Sequence, residues 1–177
     1  MDHDWPPISL AWRQKLAAYW SIAWPSGAVA YAVAIILISA LSPEAVALVP
    51  IAGLISTGAF FISQMLFVRR LTRKRYRSFR VEVEADGQSG QMPLTMPASM
   101  RVWFQIFWPQ AAFYLLMLLV GTGIALMSTN ERATRFANGT PGLAILLDLI
   151  VVGPYAVGFA VGDYGQFRLI AYGQRFV

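Results

Sequence analysis

The first long apolar run of the sequence is WPSGAVAYAVAIILISAL, residues 24–41, and it contains no charged side chain. About 20 apolar residues in a helix are enough to cross the hydrocarbon core of a bilayer. Three similar runs follow at 45–68, at 103–127 and from 143 to about 167. The sequence therefore predicts an all-α membrane protein with four transmembrane helices, arranged as two helical hairpins.

The composition also favours a bilayer environment. Of the 177 residues, 57% are hydrophobic and only 13% are charged, whereas about a quarter of a soluble domain is charged. This excludes a disordered chain, and the gathering of the apolar residues into long runs argues against a soluble globule. The absence of cysteine and the single histidine, His3, exclude disulfides and thiolate metal sites and leave haem without its usual ligand. We expect no catalytic residue, no metal and no cofactor, and hence a protein that is not an enzyme.

Basic residues are distributed unequally between the two sides of the predicted spans. Of the 14 lysines and arginines, only Arg132 and Arg135 fall on the side of the two hairpin tips. Basic residues near the ends of spans are retained in the cytoplasm. The sequence therefore predicts a multi-pass protein of the inner (cell) membrane, with both termini and the central loop cytoplasmic.

The two halves of the sequence share a Trp-Pro segment. The residues YWSIAWP at 19–25 align with WFQIFWP at 103–109. We expect each segment to begin as a short interfacial amphipathic helix, with Pro25 and Pro109 starting the spans after a bend. A parallel repeat of two plus two spans explains the similarity, and two independent hairpins with similar membrane anchors explain it as well. The chain divides into a first half at 1–87, a connecting segment with the start of the second interfacial helix at 88–102, and a second half at 103–177.

Tryptophans and a basic run are the candidates for contact with lipid or with a partner. Amphipathic aromatic rings favour the headgroup depth, and arginines directly after a span favour anionic lipid heads. The candidates are Trp12, Trp20, Trp24, Trp103, Trp108, Arg69, Arg70, Arg73, Lys74, Arg75 and Arg77. Nucleic acid is disfavoured as a partner, because nothing else in the chain resembles a nucleic-acid module. After the basic run, FRVEVE at 79–84 alternates apolar and charged residues and predicts a short β-strand in a small cytoplasmic loop.

Ionisable residues inside a span are costly and mark candidate functional positions. Asp148 and Asp163 both fall in the fourth run, and their spacing leaves them about 60° apart around a helix, so both could face the bundle interior. A proton or cation path would use such carboxylates, although pairing with nearby arginines or contact with interfacial water is the interpretation we favour. In the same run, the spacing of Gly158 and Gly162 is typical of close helix packing, and Pro154 predicts a kink.

Two classes of function remain. The first is a non-catalytic integral membrane subunit that anchors or organises a larger inner-membrane assembly, with anionic lipids and other membrane-protein subunits as partners. The second is a small oligomeric transporter or ion channel that uses the intramembrane aspartates. A homo-oligomer is compatible with both, and four spans enclose too little space for a channel without several copies.

Overall fold

The computed structural model describes residues 5–41, 48–85, 88–90, 93–127 and 131–173. Among them are four helices long and apolar enough to cross a membrane, at Trp12–Ala40, Ile51–Arg73, Met96–Met127 and Gly139–Ala160. The chain is mostly helical, and these helices are those of a multi-pass membrane protein. His3, the turn expected between the first two spans and residues 174–177 lie outside the described ranges.

Two of the helices contain an internal proline. Helix α1 covers Trp12–Ala40 and includes Pro25, and helix α4 covers Met96–Met127 and includes Pro109. The prediction of separate interfacial helices is therefore wrong, because each amphipathic segment and the span after it form one helix. Proline is tolerated inside a membrane helix where neighbouring groups satisfy the backbone. Beside Pro25, the Ser26 hydroxyl donates to the carbonyl oxygen of Ile22 at 2.9 Å.

The returning helix of each half is composed of more than one piece. In the first half, α2 covers Val49–Phe67 and α3 covers Arg70–Arg73. In the second half, α5 covers Glu131–Leu147, a π-helical segment covers Asp148–Val152, and α6 covers Gly153–Ala160.

The fourth predicted span differs from the structure at both ends. It was expected to continue to about residue 167, but α6 ends at Ala160 and Val161 has an extended backbone, with ψ 98°. The preceding loop is shorter than expected because α5 already begins at Glu131, which pairs with Arg135 one turn later at 3.4 Å. Such pairs stabilise an exposed helical turn.

Three strands form one antiparallel sheet in the order β2-β1-β3. The predicted strand is confirmed as β1, Phe79–Ala85, while β2 covers Gln88–Gly90 and β3 covers Arg168–Gly173. The N-terminal stretch continues the sheet beyond β3, because the Ile8 amide donates to the Ala171 carbonyl oxygen at 2.8 Å. We call residues 6–10, 70–85, 88–90 and 168–173, which include α3 and the three strands, the platform. Its sheet brings together segments from the start, the middle and the end of the chain.

The buried core lies at the platform end of the helices. It joins Ile22 of α1, Val68 after α2, Ile106 of α4 and Val157 of α6 to the inward face of the sheet, including Val81. Helix α1 packs against α2 and α6, and α4 packs against α5, α6 and α2. Away from the platform the helices expose large apolar side chains such as Ile36, Leu54 and Leu118. Lipid tails are the natural cover for these surfaces.

Candidate functional site

A polar cluster lies buried between the helices. The Tyr19 hydroxyl of α1 donates to Asp148 Oδ2 at 2.7 Å, and this bond joins residues from opposite halves of the chain. Tyr19 is 0% exposed and Asp148 is 1% exposed. A carboxylate without access to water depends on its protein partners, so this phenol is a principal determinant of the environment of Asp148.

Two glutamines extend the cluster to the other two long helices. Gln64 of α2 donates from Nε2 to Gln110 Oε1 of α4 at 3.2 Å, and both side chains are fully buried. The Tyr19 phenol also interacts with Gln64. Together, Tyr19, Gln64, Gln110 and Asp148, which we call the polar cluster, connect all four candidate spans.

The polar cluster contains polar atoms without a partner. Among the described residues, Asp148 Oδ1, Gln64 Oε1 and Gln110 Nε2 are buried and have no hydrogen-bond partner within the protein. Buried polar groups are nearly always satisfied, so each exception requires a physical account. The unpartnered set contains one carboxylate oxygen, one amide oxygen and one amide N–H₂ group.

The backbone of the second half is shaped to accept Tyr19. A Cβ on Gly153 would lie 2.1 Å from Cζ of the Tyr19 ring, so only glycine permits this approach. Asp148 begins the π-helical segment, whose last hydrogen bond runs from the Gly153 amide to the Asp148 carbonyl oxygen. Pro154 follows at once and is buried. Short π-helical segments within α-helices often occur at functional sites.

The tryptophans of α1 and α4 occupy two kinds of environment. Trp12 and Trp20 are exposed, as are Trp24 at 67% and Trp108 at 62%. Trp103 is partly buried and donates from Nε1 to the Phe61 carbonyl oxygen at 2.9 Å. Four of the five candidate tryptophans are therefore placed to meet lipid or a partner, whereas Trp103 contributes to packing between the halves.

The basic run forms an exposed surface of the platform. Arg70, Arg73, Lys74, Arg75 and Arg77 are exposed. Arg69 is partly buried, and its Nε donates to Ser99 Oγ at 3.2 Å. This bond joins the end of the α2 helix to the start of α4, so Arg69 contributes to packing between these helices.

The interior of the platform is tied to α1 by a tyrosine. Tyr76 stacks on Phe79, with ring centroids 4.2 Å apart, and its hydroxyl lies 2.8 Å from Ser21 Oγ. Burial raises the pKa of Tyr76 to about 12, so the phenol stays neutral and keeps this hydrogen bond at physiological pH. On the sheet, Arg80 Nε lies 2.7 Å from Glu82 Oε1 without the angle of a directed hydrogen bond, so the contact is an ion pair.

The structure separates the two candidate aspartates. Asp163 lies beyond the end of α6 in an exposed turn, where its Oδ1 accepts the Gly165 amide at 2.7 Å. The alternative in which both aspartates face the bundle interior does not hold, because α6 ends before Asp163, and the exposed position of Asp163 fits the favoured interpretation of contact with water.

The two candidate packing glycines also differ. Gly158 accommodates the Lys15 side chain, since a Cβ would lie 2.7 Å from Lys15 Cε. Gly162 lies outside the helix, and its Cβ position meets only the Phe159 carbonyl oxygen at 3.7 Å. Close helix packing therefore involves Gly158 and Gly153 and not the predicted pair of Gly158 and Gly162.

Sequence reasoning missed Tyr19, Gln110 and Gly153 as members of this site. Tyr19 lies on the apolar face of its segment, and Gln110 directly follows the Trp-Pro pair, so neither has a local signal. Gln64 lies in the second apolar run, and the sequence indicates no partner for it.

Comparison with protein-family models, with curated proteins and with solved structures finds no match for this chain.

Proposed function

We propose that the chain is a non-catalytic integral membrane subunit that anchors or organises a larger inner-membrane assembly. The observation that carries the proposal is the platform. A sheet built from three distant chain segments is packed on the helix ends and presents exposed basic side chains beside it. A helix bundle needs no such sheet to remain in a bilayer, so a folded surface at one end favours docking of another subunit.

The helix lengths support a platform that lies at the membrane surface. Helix α4 has 32 residues and extends about 48 Å, more than the roughly 30 Å of bilayer hydrocarbon. From Trp108 to Met127 the rise is about 30 Å, so the exposed Trp108 falls where the hydrocarbon ends. Trp24 occupies the corresponding position in α1, at the same end of the bundle. In this arrangement the first turns of both helices and the platform lie at and beyond the cytoplasmic headgroups.

We also infer that the two halves arose as a parallel repeat. Each half consists of a long helix with an internal Trp-Pro pair, a returning helix and a strand. Tyr19 and Trp103 are each the fifth residue before the tryptophan of that pair, and each bonds to the returning helix of the other half. Strands β1 and β3 pair antiparallel, as in-plane strands related by a two-fold axis along the membrane normal would.

Neutralising two platform arginines tests the subunit role. We expect the double variant Arg73→Gln, Arg77→Gln to lose most of a stoichiometric co-purifying subunit, because both side chains are exposed beside the sheet. The measurement is extraction into native nanodiscs, followed by sizing and quantitative mass spectrometry of the partner relative to this chain.

The matched control changes the same amount of charge at the other end of the helices. The variant Arg132→Gln, Arg135→Gln should retain the partner in full. Equal loss in both variants would indicate a non-specific charge effect, and a homogeneous homo-oligomer without any second subunit would contradict the proposed role.

The polar cluster supports a second candidate, a small oligomeric transporter or ion channel. Asp148 is the buried carboxylate on which such a path would depend. In proteoliposomes, Asp148→Asn would abolish flux through a transporter, whereas a subunit would show no flux in either form. Because Asp163 lies in an exposed turn, Asp163→Asn is the matched control.

A further inference from the structure

We propose that Asp148 binds a proton in the folded protein and is present as a neutral carboxylic acid at about pH 5, where an exposed aspartate is ionised. Its Oδ2 accepts the Tyr19 hydroxyl, and its Oδ1 carries the proton. The inference concerns a binding site within the bundle and holds whether or not the platform docks a subunit.

Within the described part of the chain, no cationic side chain is bonded to Asp148. Tyr19 faces it from α1, Gly153 and Pro154 follow it on its own helix, and Tyr114 of α4 lies within electrostatic range. Among the described residues, the ion pairs are Arg80–Glu82 and Arg135–Glu131, and neither includes Asp148. A buried carboxylate without a cationic partner is far less stable than its neutral acid.

Lys15, a basic residue of α1, packs against α6 and is held away from Asp148 by other contacts. Lys15 passes over Gly158 and places its Nζ 5.3 Å from the centre of the Tyr155 ring. Gly158 lies more than two helical turns after Asp148 along the chain. The Lys15 ammonium therefore lies over the Tyr155 ring of α6 and is not bonded to Asp148.

The unpartnered atoms fit a proton better than a metal ion. A carboxylic O–H at Oδ1 is a donor, and the unpartnered Gln64 Oε1 is an acceptor in the same cluster. A hard cation such as Ca²⁺ requires six or more oxygen ligands, whereas the described side chains leave only these two oxygens unpartnered here. The third unpartnered group, Gln110 Nε2, is a donor and would repel a cation.

Infrared difference spectroscopy tests the proposal on the full chain. In detergent without ester groups, at about pH 5, we expect a carboxylic C=O band in the wild-type protein that is lost in Asp148→Asn. The band should remain in Asp163→Asn, because Asp163 is exposed. Tyr19→Phe should move it to higher frequency, because the carbonyl at Oδ2 loses a hydrogen-bond donor.

Three outcomes would overturn the proposal. They are the absence of a carboxylic band from the wild-type protein, a band unchanged by Asp148→Asn, and a carboxylate band that shifts when sodium or potassium is exchanged. The last would assign a metal cation to the site. If Asp148→Asn does not fold, the frequency shift in Tyr19→Phe still decides, and an unshifted band would contradict the assignment to Asp148.

Discussion

Gly153→Ala is expected to destabilise the folded protein by about 3 kcal/mol, at the upper end of the range for overpacking a core. The new Cβ would lie 2.1 Å from Tyr19 Cζ. The ring cannot move aside cheaply, because Tyr19 is fully buried and its hydroxyl is bonded to Asp148. The measurement is the midpoint of unfolding in detergent, with circular dichroism used to monitor the loss of helix.

The control for this substitution is Gly123→Ala in α4. Nothing lies within 4 Å of a Cβ at Gly123, so the same chemical change should leave stability unchanged or raise it slightly through helix propensity. A smaller residue at position 19 should recover part of the loss, so Tyr19→Leu combined with Gly153→Ala is expected to be more stable than Gly153→Ala with Tyr19 intact. Equal midpoints for the Gly153 and Gly123 variants would contradict the close approach.

The features predicted from the sequence are those with a local signal. The four apolar runs predicted the four candidate spans, and the alternation at 79–84 predicted β1. In each case, neighbouring residues contain the whole pattern, and burial in lipid or against a core acts on every residue of the run.

The features missed depend on distant partners. Strand β3 has no alternating pattern in its six residues and is defined by pairing with β1, some ninety positions earlier in the chain. Tyr19 and Asp148 are 129 residues apart, so neither predicts the other. Pro25 and Pro109 favour a helix start locally, but packing of the surrounding helices overrides this preference.

Phe79→Ala is expected to lower the free energy of unfolding by about 3 to 5 kcal/mol, the usual range for removing a buried phenylalanine. The ring is 1% exposed and stacks on Tyr76, with an angle of 7° between the ring planes. Because Phe79 starts β1 opposite Gly173 of β3, the loss should fall on the platform. Hydrogen exchange followed by mass spectrometry should show faster exchange of the β1 and β3 amides, while the mid-helix amides of α1 and α4 stay protected.

This variant also separates anchoring from docking, because the spans do not depend on the sheet for their contact with lipid. If the platform is the docking surface, Phe79→Ala should remain in the membrane and lose its co-purifying subunit. Phe104→Ala removes an aromatic ring of the same size from a position that is 53% exposed, so it should leave both sheet exchange and partner binding unchanged. A partner retained by a protein whose β1 and β3 exchange freely would place the docking surface on the helices, where the exposed Trp24 and Trp108 would be the next residues to replace.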